Sequence, residues 1–166
     1  MTNNNLKEKY NKLLQTEMYK EFIEHHADYK LSHFFFVYEK NNFLEQHIGF
    51  YSKNDDKVVS FDLLKHIVSK PEDAMKRNGI IPFFDVNDVK TGIDEALKIS
   101  KDIQEKNYPP HTPNKYICIL QVLENILNWN ITIVTNTMHI VNIKIDASNS
   151  KVLKNSAKPI MSLAKG

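Results

Sequence analysis

Between Trp129 and Asp146 the chain reads WNITIVTNTMHIVNIKID. Ile131 and Ile133 alternate with Thr132, and Val141, Ile143 and Ile145 alternate with Asn142 and Lys144. A period of two is the mark of strands with one buried face. Thr135-Asn136-Thr137 between the two runs is turn chemistry, so the stretch is expected to fold back on itself as a hairpin.

Similar signals precede it. His33–Glu39 (HFFFVYE) is almost unbroken aromatic sequence, and Lys40-Asn41-Asn42 supplies a turn into Phe43–Tyr51. A polar turn at Ser52–Asp56 leads to Lys57–Leu63, with Val59, Phe61 and Leu63 on one face. Tyr116–Glu124 is a further strand, turning at Glu124-Asn125. Short connections of this kind imply antiparallel neighbours. After a turn at Ala147–Ser150, Lys151–Lys154 is expected to be a short strand and Ser156–Gly166 to be loosely held.

Helical spacing appears in two long places. Leu6, Tyr10, Leu13, Leu14, Met18, Phe22 and Ile23 recur at steps of three and four, which predicts one amphipathic helix over about 5–26, capped by Asn4 or Asn5. Val89, Ile93, Ala96, Leu97, Ser100 and Ile103 predict a second over about 88–106, with Thr91-x-x-Asp94 resembling a capping box. Ser69-Lys70-Pro71-Glu72 and Asn78-Gly79 predict a short helix at about 70–78. Ile80–Phe84 is an apolar connector that should dock on the core. The prolines of YPPHTPN, residues 108–114, end the second helix.

The totals exclude several classes. With 42% hydrophobic and 25% charged residues the chain is globular in composition, and a net charge of +2 gives no strong field for nucleic acid or membrane. No run approaches the ~18 apolar residues of a membrane span. The N-terminal MTNNNLKEKYNK has no apolar signal region, so a cytoplasmic protein is expected. Four glycines argue against a phosphate-cradling loop.

The order helix, strand, strand, strand occurs twice. Val37-Tyr38-Glu39 aligns with Val122-Leu123-Glu124, Ile48-x-Phe50-Tyr51-Ser52 with Ile131-x-Ile133-Val134-Thr135, and Val58-Val59-Ser60-Phe61 with Ile140-Val141-Asn142-Ile143. The offset stays within about three residues of 84. The expected class is therefore α+β: two helix-plus-antiparallel-sheet repeats, each a roll, over residues 1–84 and 85–166, packed together.

In the second half Glu95-Ala96 lie on the helix, Trp129 is a strand aromatic, and Ile145-Asp146-Ala147 is followed by Lys151-Val152-Leu153. In these residues the second half resembles the PepSY-type module. The likeness covers about residues 88–154, and Asn149-Ser150 stands where the family has its turn glycine. Asn tolerates the left-handed conformation that such a turn needs. The resemblance implies a cystatin-like roll, tandem copies, regulation through protein contact and no catalysis.

Candidate chemistry is thin. Glu21 and His25 share a helix face, but His25 and His26 diverge by about 100 degrees, and neither HExxH nor CxxC occurs. His33, His47, His66, His111 and His139 are scattered, with no G-x-S-x-G beside them. Cys118, the lone cysteine, lies in the apolar run YICIL and reads as a small buried hydrophobe. Asp85, Asn87 and Asp88 lack the glycine and distant glutamate of a calcium loop. Neither a cofactor nor a metal ion is expected. The expected function is non-catalytic: interaction or regulation through a sheet face or strand edge. The candidate surface is Phe34, Phe36, Tyr38, Trp129 and His139. The expected partner is a protein or peptide, or a second copy of the chain. The alternative is an apolar small ligand held between helix and sheet.

Overall fold

A computed structural model describes residues 5–74 and 81–165. The chain order is α1 (Leu6–Leu14), α2 (Glu17–His25), β1 (Lys30–Glu39), β2 (Asn42–Ser52), β3 (Lys57–Asp62), β4 (Ile67–Val68) and β5 (Glu72–Asp73). A 3-10 turn at Val86–Asp88 leads to α3 (Ile93–Asn107). Then come β6 (Pro113–Leu123), β7 (Ile126–Thr135), β8 (His139–Asp146), β9 (Val152–Pro159) and a 3-10 segment, Ile160–Lys165. The fold class is α+β, with one nine-stranded antiparallel sheet ordered β4-β3-β2-β1-β6-β7-β8-β9, and β5 pairing with β3.

The two halves join by pairing β1 with β6, from Phe34 opposite Leu120 to Tyr38 opposite Tyr116. The strands on either side of this seam follow by hairpins. Lys40-Asn41 and Glu124-Asn125 each take two successive positive φ values, as a two-residue type I′ turn requires.

One sheet face is covered by the helices. Phe34, Phe36, Ile48, Phe50, Val59 and Phe61 point into it from the first half, and Cys118, Leu120, Trp129, Ile131, Ile133, Val141, Ile143 and Ile145 from the second. Tyr10, Tyr19 and Phe22 of the first two helices meet Phe50 and Phe61, with ring centroids 5.4–6.4 Å apart. Ile93, Ala96, Leu97 and Ser100 supply the buried stripe of α3. Burying this apolar surface is the main favourable term in the fold.

Several expectations are corrected. The first helix is not continuous: Thr16 leaves the helix at ψ 148, its Oγ1 accepts the Tyr19 N–H, and the same hydroxyl donates to the Leu13 carbonyl. A side chain that offers the backbone a local partner competes with the helix, while apolar spacing carries on across the break. Asn5 caps α1 by accepting the Glu8 N–H. The described part of 70–78 is not helical, because Glu72 and Asp73 pair with β3 and Lys57 bonds Asp73; residues 75–78 lie outside the described part. The second helix starts at Ile93 on Gly92, and Thr91 does not cap it. The Thr91 hydroxyl pairs with Ser150 at 2.7 Å, and its carbonyl accepts the Trp129 indole N–H at 2.8 Å. The tail expected to be loose instead forms β9 through Pro159 on the edge of β8. Its lysines and Pro159 suit an edge that must not recruit other strands. In the turn before it Ser150, not Asn149, takes the left-handed conformation, and Asn149 Oδ1 accepts the Lys151 N–H.

Candidate functional site

The five residues singled out as a surface separate. Phe34, Phe36 and Trp129 are fully buried on the helix-covered face, so they form core and no outward surface. The unbroken aromatic run HFFFVYE hid this, because both faces of the strand carry apolar side chains and alternation gives no phase. Tyr38 is partly exposed and lines a hollow of about 300 Å³ with Asp94, Leu97, Lys98, Lys101, Asp102 and Glu105 of α3. Lys101 Nζ sits 5.1 Å over the Tyr38 ring and 5.9 Å over Tyr116. Burial pushes the Tyr116 hydroxyl up to about 12, with Tyr38, Cys118 and Glu105 adding to it. A lining with three carboxylates and two ammonium groups is charged rather than apolar.

His139 stacks on His111, with centroids 4.2 Å apart, and both rings bond Thr137. Stacked rings hold their in-plane lone pairs side by side, so they do not converge on one ion. No group of three or more His, Cys, Asp or Glu among the described residues is placed to hold a metal. The His26 ring lies flat on Phe22 and bonds its carbonyl, and Asp85 caps the 3-10 turn. Cys118 is wholly buried, and burial pushes its thiol far above the ordinary range, so it is no nucleophile.

The face that the helices leave uncovered was not singled out by the sequence. Its centre is Phe35 and Val37 on β1, opposite Ile119 and Ile117 on β6. On the first-half side, His47 lies 5.7 Å from the Phe35 ring, 3.6 Å from a Glu45 oxygen and 3.9 Å from an Asp62 oxygen. The other Asp62 oxygen accepts the N–H groups of Leu64 and Lys65, which fixes its carboxylate. On the second-half side, Asn142 donates to Asn130 at 2.7 Å and to Thr132 at 3.3 Å.

His33 lies flat on this face because Gly49 has no side chain: a Cβ there would fall 1.8 Å from the imidazole Cε1. The Ser32 hydroxyl donates to the Gly49 carbonyl and so receives the His33 Nδ1–H at 3.1 Å. Burial, reinforced by His47, holds the His33 imidazole down at about 4, below its ordinary value of 6.5. It is a neutral donor at neutral pH. The pairing of His33 with Gly49 was legible only as a glycine inside an alternating strand, a sign of close approach.

No helix among the described residues is long and apolar enough to cross a membrane. No known family model matches the chain, and no curated protein sequence matches it. Among solved structures, a "putative lipoprotein" from Clostridium difficile 630 is similar over 94% of this chain and 100% of its own, at a TM-score of 0.55 and 16% identity. At that identity the likeness shows the fold alone.

Proposed function

We propose that this chain is a non-catalytic binding protein that works through the uncovered face of its sheet, engaging a protein or peptide. The observation that supports this reading is the partly exposed strip of Phe35, Ile117 and Ile119 at the centre of that face. Large side chains on an uncovered sheet face are the ordinary mark of a contact surface. Catalysis finds no support in the buried Cys118 or the separated histidines. The charged hollow beside α3 does not favour an apolar small ligand, so that alternative is not adopted.

The tandem character belongs to the same proposal. Residues with positive φ fall at Lys40, Asn41, Asp56 and His66, and again at Glu124, Asn125, Met138 and Ser150, which are 84, 84, 82 and 84 positions later. Such matched backbone exceptions support two copies of one unit, and the PepSY-like pattern of the second half is kept as part of this reading. Cytoplasmic residence is proposed on the sequence alone.

A photo-crosslinking residue placed at Ile119, compared with one at Lys20 on the exposed side of α2, tests the reading. Capture of a discrete partner from position 119, lost on Phe35→Glu, is expected. Equal capture from both positions, or capture indifferent to Phe35→Glu, would overturn it.

A further inference from the structure

Six antiparallel pairings place a single row of outward side chains across the uncovered face. It runs Asp62 (β3), His47 (β2), Phe35 (β1), Ile119 (β6), Asn130 (β7), Lys144 (β8) and Lys154 (β9). The row is acidic at one end, apolar in the middle and basic at the other. The next row runs from Glu45 through Val37, Ile117, Thr132 and Asn142 to Ser156, with its acid at the same end. A further base, Lys158, pairs with Ile140 on the second-half side. Asp146, an acid on the basic side, accepts the N–H and hydroxyl of Ser148.

We propose that this face is the contact surface of a symmetric dimer, in which a second copy of the chain lies face to face about a two-fold axis parallel to β1 and β6. This rests on reading the face as a binding surface, and it names the partner. The axis runs along the β1–β6 seam, so it carries each half of one copy onto the opposite half of the other. The copy's β8 then lies over β3, its β7 over β2 and its β6 over β1. Phe35 of each copy meets Ile119 of the other. Lys144 of each copy comes over Asp62 of its mate, and Lys154 over β4 just beyond it.

The charges choose both the occupant and its orientation. A peptide of either sign would satisfy one end of the row and leave the other unanswered, whereas a second copy answers both. The alternative face-to-face two-fold, with its axis across the strands, lays acid on acid and base on base. Two aligned sheets pack about 10 Å apart with their strands crossing at roughly 30°, a gap that lysine side chains span. Six strands spaced about 4.8 Å and some 20 Å long give on the order of 600 Å² of flat area per copy, less the end where Phe83 packs on Tyr51. Side-chain relief brings this towards the ~800 Å² per partner of a stable interface.

Sedimentation velocity of the full chain over a wide concentration range, at neutral pH and low salt, tests the proposal. The unaltered chain is expected to dimerise. Asp62→Lys alone puts base over base, and Lys144→Glu alone puts acid over acid, so each, checked for its fold by circular dichroism, should raise the dimer Kd at least about tenfold. Mixing the two variants in equal amounts should restore dimers, because each then offers the charge that the other lacks. This rescue also shows that both variants are folded. Ile119→Glu should abolish the dimer. A monomer at every concentration, a dimer unmoved by both charge reversals, or a mixture no tighter than its components would each overturn the inference. A monomer that still captures a different polypeptide from position 119 overturns the dimer alone. A dimer unmoved by the reversals, together with no capture dependent on position 119, overturns the dimer and the reading of the face.

Discussion

The two halves of the molecule lay the same chain path on one sheet and fill it with different side chains. Where the first half points Phe34, Phe36, Phe50 and Phe61 at the helices, the matching places in the second hold Cys118, Leu120, Ile133 and Ile143. The helix layer differs in step. Over the aromatics lie two short helices, broken at Thr16, which contribute Tyr10, Tyr19 and Phe22. Over the aliphatics lies the unbroken α3, whose buried stripe includes Ala96 and Ser100. A core must be filled to a nearly fixed density, and either mixture can do it. Large rings on the sheet go with a helix layer that bends around them, and smaller groups go with a straight helix bearing small residues.

The comparison can be broken most severely at Trp129, which fills the place that Gln46 holds in the first half. Trp129 is fully buried and donates its indole N–H to Thr91, whereas Gln46 accepts a bond from Lys9 Nζ at 2.8 Å near the edge of the core. Trp129→Ala should cost about 3–5 kcal/mol in urea unfolding, and Gln46→Ala no more than about 1.5 kcal/mol. Similar losses at the two positions would end the claim that they are filled differently.

A pH test follows, because the first half places His33 where the second has Ile117. The His33 imidazole has a folded value of about 4 and an unfolded value near 6.5, so between them the unfolded chain binds the extra proton. Stability is therefore fully present above about pH 6.5 and falls as the pH drops towards 4, by up to about 3 kcal/mol. His33→Gln should flatten that window in denaturant midpoints measured across pH. An unchanged slope would place the acid sensitivity elsewhere.

Gly49→Ala sharpens the same point. The new methyl collides with the His33 ring, which should cost about 1–3 kcal/mol. In a His33→Ala background most of that cost should vanish, and a double-mutant cycle reads the difference. The smallest effects lie at the helix starts. Thr16→Ala removes the cap of α2 and should cost about 1 kcal/mol, while Gly92→Asp adds one to α3 and should gain a few tenths. Gly92 has an ordinary φ and open space where its side chain would stand, so thermal unfolding should report the gain without strain.

Strands could be read wherever one face is apolar and the other polar. Ile131, Ile133, Val141 and Ile143 all face the core as their alternation required. Reading failed where that contrast was missing. In HFFFVYE both faces are apolar, so the sequence does not separate the buried Phe34 and Phe36 from the outward Phe35. In β9 only one edge is paired and the side chains are mostly exposed, so its sequence carries no apolar rhythm. The break at Thr16 was invisible because helical spacing continues through it. The candidate face escaped for a related reason: its residues come from strands far apart in the chain, and nothing local marks them as neighbours.

The sequence by itself determined the strands and turns, the amphipathic helices and the α+β class, because alternation, spacing and turn residues act over a few positions. Only the tertiary structure decided that β1 pairs with β6, for Phe34 and Leu120, in different halves of the chain, are brought together by burial shared between both halves. That seam makes one sheet of the two halves, sets which side of each aromatic strand is inward, and assembles the row from Asp62 to Lys154 on the face left open.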